Sequence, residues 1–333
     1  MTDKPPYNSV SKNLGGEFEM IRALLAPLAQ NPSALGLQDD AALVAPPPGM
    51  DMVISSDALV SGVHFPVQAE ASLVANRALA CNISDLAAKG AAPAGCTLSL
   101  GLSEAWDEAY IGQLITAFGR GLQAWALELW GGDTVRAPTG FLSLTVHGWV
   151  PHQKMLTRKG AQIGDDVYVT GVLGDGWLGL QHVLGAPNSF ADAQLAYSDP
   201  QPPLAFGQKL RDIATSALDV SDGLMADLDH LCAASAVGME IDAADIPYSE
   251  AGQAYLAAGG QLENLLGGGD DLQIAFTAPP ETEAALTALG QGTQTQVTKI
   301  GRVRATISGQ PSAVLRAPNG AEIALATRGY RHF

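Results

Sequence analysis

"SALDVSDGLMADLDHLCAASAVG", residues 216–238, is the stretch on which the fold turns. It reads as a strand feeding a helix, with Leu224, Leu228 and Leu231 on one helix face and Gly238 placed to cap its end. A strand that runs straight into a helix is a unit of mixed α/β architecture. In the extended part, Asp219 and Ser221 share one face, and Asp222 opens the helix. Ser221 reads either as the helix N-cap or as a contact for an anion at the helix N-terminus, and the two roles are compatible.

The same alternation recurs on both sides. Before it, "GEFEMIRALLAPLA" (16–29) has helical spacing, "MDMVISSDALV" (50–60) reads as a strand, and "EASLVANRALACNISDLAAKGA" (70–91) as a helix ending near Gly90. "AYIGQLITAFGRGLQAWAL" (109–127) is a second long helix, weakened by its glycines, and "GFLSLTVHGWVP" (140–151) alternates as a strand closed by Pro151. "DDVYVTG" (165–171) is a strand, "LGDG" (173–176) a turn and "WLGLQHVL" (177–184) a helix, while the proline-rich "SDPQPPLAFGQ" (198–208) reads as a loop. Further strands are "LQIAFTA", "VTKIGRV" and "AVLRA". We place a domain boundary near residue 150, with an N-terminal domain over 1–150 and a C-terminal α/β domain over 151–333.

The chain has 333 residues, 34 acids against 18 Lys plus Arg, and a formal charge of −16. Such a charge excludes nucleic-acid binding through a general basic field, and an anionic ligand needs locally supplied cations, for which divalent metals are the obvious source. Cys81, Cys96 and Cys232 fit no zinc spacing and read as reduced thiols, which suits a cytoplasmic protein. No apolar run has the length of a membrane span, and the first residues lack the apolar core of a signal peptide.

Several acids stand at turns or element ends beside Gly, Ser or another Asp: Asp39 and Asp40, Asp57, Asp85, Asp133, Asp219 and Asp222, Asp270 and Asp271. Each alone has an ordinary explanation as a cap or turn residue. Other details point to a ligand set. Ser55 and Asp57 share a strand face, and Asn82 and Asp85 lie three apart on a helix that otherwise looks buried, where a carboxylate needs a partner or a metal. Hard oxygen donors in this number suit Mg²⁺ better than zinc. "LWGGDTVRAP" (129–138) resembles a phosphate loop with an acid, Asp133, where a base would stand, and reads either as a plain turn or as a metal-mediated phosphate contact. Arg77, Arg136, Arg158 and Lys159 lie in or beside these segments and read first as surface charges, and His64 reads either as structural or as a ligand contact.

Beyond this physical reading, "GEFEMI", "LQDDAAL", "ISSDALVSGVHF", "NRALACNISDLAAKGA", "GGDTVR", "LTRKGAQIGDDVYVTGVLGDG", "LDVSDGLMADLDHL", "GGGDDLQIAF", "IGRV" and "GYRHF" occur in one order, and together they closely resemble the thiamine-monophosphate kinase family. The resemblance implies the two-domain α/β (α+β) fold of the aminoimidazole ribonucleotide synthetase-like superfamily, with N-terminal sheets pairing across a homodimer. It implies ATP-dependent conversion of thiamine monophosphate to thiamine diphosphate with several Mg²⁺ per site. Carried over by position, Asp40, Ser55, Ser56, Asp57, Asp85, Asp133, Asp219 and Asp222 are its metal ligands, with Asp133 and Asp57 acting through metal and no general base. Tyr110, Gly132, Asp133, Arg158 and Ser221 match nucleotide-binding positions, and His64, Asp270 and Tyr330 match substrate-binding ones.

Two motifs depart from the family pattern: Gln38 replaces a glycine, and "GGGDDLQI" places Asp270, Leu272 and Gln273 where the family has Glu, Tyr and Glu. The alternatives are another ATP-using enzyme of the superfamily, or a non-catalytic metal-dependent nucleotide sensor. The selenophosphate-forming member carries a reactive Cys or Sec near its N-terminus and the hydrogenase-maturation member ends in a modified Cys, neither of which this chain shows.

Overall fold

In the computed structural model, which describes residues 16–186, 190–306 and 309–331, the strands are β1 (Met50–Val60), β2 (Ala92–Leu102), β3 (Glu128–Arg136), β4 (Phe141–Pro151), β5 (Asp166–Thr170), β6 (Ser216–Val220), β7 (Gly238–Asp242), β8 (Gln273–Ala278), β9 (Val297–Arg304) and β10 (Ala313–Arg316). The chain divides into two compact units. One comprises residues 1–48, 54–82 and 93–148, and the other residues 49–53, 83–92 and 149–333.

The first unit carries a four-stranded sheet in the order β1-β4-β2-β3. Period-two alternation in β4 buries Leu142, Leu144 and Val146 and leaves Phe141, Ser143, Thr145 and His147 half-covered on the other face. The helix Glu108–Ala124 is capped by Asp107, whose side chain accepts from the Tyr110 N–H at 2.8 Å, and it buries Ile111, Leu114, Ile115, Phe118 and Leu122. Two of its glycines serve packing: a Cβ on Gly119 would come within 2.7 Å of Leu28, and one on Gly121 within 2.3 Å of Leu79.

β2 and β3 run parallel, with a register shift between Cys96 and Thr97 that sets Asp133 opposite Ser99. "GGDT" is therefore the middle of a strand, and the plain-turn reading is corrected. Gly132 has φ 156°, and a Cβ there would lie 1.9 Å from the Leu98 carbonyl oxygen, so only glycine fits so close to the neighbouring strand.

The second unit carries a six-stranded sheet, β10-β7-β9-β5-β8-β6. β10 and β7 pair in parallel, and the pairs β7–β9, β9–β5, β5–β8 and β8–β6 are antiparallel. All five residues of β5 and of β6 are buried. The helix Leu224–Ser235 covers the sheet through Leu224, Leu228 and Leu231, each at most 1% exposed, as its spacing requires.

The structure differs from the sequence reading in four further places. The segment 16–29 is not one helix: an α turn (Glu17–Met20) passes into a π turn (Ile21–Leu25) and a 3₁₀ turn (Ala26–Leu28), Pro27 being unable to donate within a regular helix. The proline-rich loop contains a helix, Leu204–Leu210, entered from Pro203. Gly238 begins β7, and the left-handed cap is Ala236 at φ 55°. Ser221 is not the N-cap of the following helix, which is Gly223.

Candidate active site

In the first unit a cavity of about 360 Å³ is lined by Asp39, Asp40, Gly132, Asp133 and Thr134 at its polar end, and by Ile21, Leu25, Ala34, Leu37, Leu98 and Leu129 at its apolar end. This volume lies in the range of small-ligand pockets. It brings Asp40 together with Gly132 and Asp133, which are far from it in sequence. Gln38 has φ −107°, so its backbone does not require the glycine usual there.

On β1, residues 53, 55, 57 and 59 share a face, with Val53 and Leu59 buried and Ser55 and Asp57 partly open. Ser56 points to the opposite face, where its hydroxyl meets that of Thr145 at 2.9 Å. Its side chain therefore does not join the Ser55–Asp57 row.

His64 accepts the Val60 N–H on Nδ1 at 3.0 Å, which places the proton of the neutral ring on Nε2. Tyr110 lies in a different groove, about 910 Å³, with Glu70, Glu108, Gln113 and Arg120. Its hydroxyl donates to the Ala69 carbonyl at 3.1 Å, and its ring packs 5.3 Å from Trp106, so it is not brought to the Asp40–Asp133 cavity. Arg77 is only 2% exposed, against the surface-charge reading, whereas Arg136, Arg158 and Lys159 are exposed. Asn82, fully buried, bonds through Nδ2 to the Ala78 carbonyl one turn back.

In the second unit the end of β6 and the loop after it gather five of the predicted residues. Asp219 is 6% exposed and accepts from the Ser84 hydroxyl at 3.0 Å. Burial pushes its carboxyl up to about 7, the charge of Asp85 adds to the rise, and the Ser84 hydrogen bond and the Lys89 ammonium oppose it. Just beyond, the N–H groups of Ser221, Asp222 and Gly223 all donate at 3.1 Å to one oxygen of Asp227, a residue of the following helix. The anion site expected at this helix N-terminus is thus filled from within the chain. The Asp227 carboxyl is pushed up to about 7 by burial and by the charges of Asp219 and Asp222, against its N–H bonds.

Two segments clamp this loop. The N–H groups of Asp270 and Leu272 donate to the carbonyls of Ser221 and Val220, each at 2.8 Å. The Tyr330 N–H donates to the Asp222 carbonyl at 2.8 Å. Asp219, Ser221, Asp222, Asp270 and Tyr330 are thereby brought together. The clamp holds two side-chain-bearing residues in the left-handed region, Asp270 at φ 67° and Leu272 at φ 51°. Leu272 is 2% exposed, and Gln273 accepts from the Thr170 hydroxyl at 2.8 Å, so both side chains serve packing. Of the unusual residues in this motif, Asp270 is the one left at the loop surface.

Asp271, next in sequence, accepts the N–H groups of Gly174 (2.8 Å) and Gly176 (3.2 Å) and so caps the helix Asp175–Val183 from a remote segment. Burial pushes its carboxyl up to about 8, the two N–H bonds opposing and the charges of Asp175 and Asp270 adding. Asp271→Ala is expected to lower stability by about 1–2 kcal/mol through loss of the cap. Because the folded pKa is raised, the group's stabilisation is complete near pH 4 and fades as pH rises through about 8. Asp271→Asn keeps an acceptor without the charge, so its unfolding free energy should gain on that of the parent protein across this window. Urea titrations at several pH values measure both effects.

Among the described residues, no three His, Cys or carboxylate side chains converge as a self-sufficient metal cluster. The acids instead stand as separate small groups. Asp219 fits a divalent cation on its own chemistry: a nearly buried carboxylate, beside a second acid, carries a single hydroxyl donor. Ser84, Lys89 and Asp227 belong to this site, and the sequence reading had not assigned them roles. Ser84 precedes Asp85 in a segment singled out for other residues, and Asp227 lies in a helix read only through its leucines.

Residues 38–150 match the model of AIR synthase related protein, N-terminal domain, and residues 162–310 that of AIR synthase related protein, C-terminal domain. The thiamine-monophosphate kinase of Escherichia coli strain K12 is 40% identical over 309 residues, covering 90% of this chain and 92% of that protein. The chain belongs to the thiamine-monophosphate kinase family.

The fold of the family is seen in a crystal structure of thiamine-monophosphate kinase from Stenotrophomonas maltophilia K279a. It is 38% identical, with TM-score 0.78 over 87% of this chain and 93% of that one. Another solved family structure, AaThiL complexed with AMPPCP and TMP, is 26% identical, with TM-score 0.75 over 98% of this chain and all (100%) of that one. The mixed α/β architecture and the two family domains expected from the sequence are those of thiamine-monophosphate kinases.

Proposed function

We propose that this chain is an ATP-dependent kinase that phosphorylates thiamine monophosphate to thiamine diphosphate. The carrying observation is the clamped loop of the second unit, where Asp219, Ser221, Asp222, Asp270 and Tyr330 meet in a chain 40% identical to a thiamine-monophosphate kinase. In the reaction, an oxygen of the acceptor phosphate forms a bond to the γ-phosphorus of ATP. The bond to the β,γ-bridging oxygen breaks, and ADP leaves with that electron pair. The acceptor phosphate has a second pKa of about 6 and is already largely ionised near neutral pH, so no general base is required.

Asp40, Ser55, Asp57 and Asp133 of the first unit and Asp85, Asp219 and Asp222 of the second would hold Mg²⁺ ions. Bound there, these supply charge neutralisation between two polyanions. The residue roles then divide by what surrounds each group. The Asp40–Gly132–Asp133 cavity would receive the nucleotide end; Arg158 and Ser221, like Tyr110 in its separate groove, are nucleotide contacts by family position alone. His64, Asp270 and Tyr330 hold the thiamine end.

The test is ³¹P NMR of the protein with ATP, Mg²⁺ and thiamine monophosphate. Diphosphate product is expected, and its absence across metal conditions would favour a nucleotide sensor. Isothermal titration with EDTA present should show ATP binding lost, because an acidic site has few cations of its own; tight binding without metal contradicts the scheme.

A homodimer is part of the same reading. Ile54 is 60% exposed on a sheet face that also carries Ser56, Phe141, Thr145 and His147, an area that a second sheet would cover. Sedimentation at micromolar concentration should give twice the chain mass, and Ile54→Lys should shift it toward the monomer; a parent protein that stays monomeric removes this part. A cytoplasmic location also belongs here. None of the three cysteines is in a disulfide, and no helix among the described residues is long and apolar enough to cross a membrane.

A further inference from the structure

The last turns of the helix Ala71–Ala88 and the residue after it run along β6, the edge strand of the six-stranded sheet. Two side chains make that contact. Ser84 donates to the Asp219 carboxylate at 3.0 Å, and the Lys89 ammonium donates to the Ala217 carbonyl at 3.1 Å. Ala217 and Asp219 are two apart on β6, so their side chains share a face of the strand. Lys89 is thus a part-buried cation beside the acid pair Asp85 and Asp219, with its hydrogen bond on a carbonyl rather than on a carboxylate.

We propose that Lys89 is a positioning residue that sets the metal affinity of this half of the site. Its fixed positive charge lies near the two carboxylates and repels a divalent cation binding there before the nucleotide does. Its reach is visible in the electrostatics. Burial draws the Lys89 ammonium below its ordinary range, the charges of Asp219 and Asp85 oppose this, and Arg158 adds to it. Without Lys89, two acids in a low-dielectric pocket would attract a cation from solution on their own. With it, the metal binds weakly until the extra negative charge of ATP phosphates is added, so that nucleotide tightens the metal site. A purely structural Lys89, serving only to satisfy the strand-edge carbonyl, would leave metal affinity unchanged.

The inference rests on Asp85 and Asp219 being metal ligands, and the test separates the two ideas. Mn²⁺ binding to the nucleotide-free protein is measured by electron paramagnetic resonance for the parent chain, Lys89→Met, Lys89→Arg and Asp219→Asn. Thermal melts report folding of each variant. Lys89→Met should bind Mn²⁺ about tenfold more tightly, as expected for removal of one nearby like charge in a partly buried site. Lys89→Arg should stay close to the parent, and Asp219→Asn should lose the site. Unchanged or weaker Mn²⁺ binding in folded Lys89→Met overturns the role of Lys89 alone. Asp219→Asn binding Mn²⁺ as the parent does overturns the ligand reading beneath it. Should Lys89→Met fail to fold, Lys89→Gln is measured in its place under the same criterion.

Discussion

Asp219→Asn should lower kcat by about 10²-fold or more while leaving the fold at least as stable as before. The two effects have one cause. The carboxylate is 6% exposed, stands beside Asp85 and has a single hydroxyl donor in Ser84. Holding it ionised without a cation costs stability, and the amide of Asn can still accept from Ser84 while removing the charge. In metal-free buffer near pH 8 the variant should therefore melt no lower than the parent. Turnover needs the charge, because cation neutralisation matters most in the transition state of a transfer between two phosphates. Steady-state kinetics and a melting curve on the same preparation decide it. Normal turnover would remove Asp219 from the metal set, and a large drop in melting temperature would show that the carboxylate is chiefly structural.

Asp227→Ala should instead damage both fold and function. One oxygen of Asp227 takes the N–H groups of Ser221, Asp222 and Gly223. Truncation leaves three donors at a helix N-terminus without their acceptor, Gly223 among them in a buried position. Unsatisfied buried donors cost about 1–3 kcal/mol each, and partial access of water to Ser221 and Asp222 tempers the sum to about 3 kcal/mol. Relief of a buried charge offsets part of this, but hydrogen-bond loss dominates because the carboxylate is triply bonded. Activity should fall with stability, since the same loop carries Ser221 and Asp222. Asp227→Asn, which retains an acceptor oxygen, should recover more than half of the lost stability. Denaturant titration of the two variants measures this, and an Ala variant as stable as the parent would show that the nest does not hold the loop.

The departures in "GGGDDLQI" illustrate where reading residues one at a time falls short. Leu272 and Gln273 looked like changes at the substrate end, yet one is buried in the core and the other bonds to Thr170. Asp271 looked like a turn residue and caps a helix nearly a hundred positions away. "GGDT" read either as a plain turn or as a metal-mediated phosphate contact, and it lies within a strand where Gly132 passes close to the Leu98 carbonyl.

By itself the sequence determined what local periodicity and local chemistry control. It marked most strands and long helices, the buried face of Leu224, Leu228 and Leu231, the exclusion of a basic ligand surface, and the ordered motifs that identify the family. Tertiary structure alone decided which acids are paired and which donors they receive. Ser84 meets Asp219 across 135 positions, and Lys89 meets the Ala217 carbonyl across 128. The filling of the helix N-terminus by Asp227 shows the same limit at short range, because Ser221 and Asp227 were equally eligible acceptors by residue type. Propensity acts between neighbours on one element, whereas the burial that raises a carboxyl's pKa, or commits a lysine to a strand edge, depends on segments that only folding brings into contact.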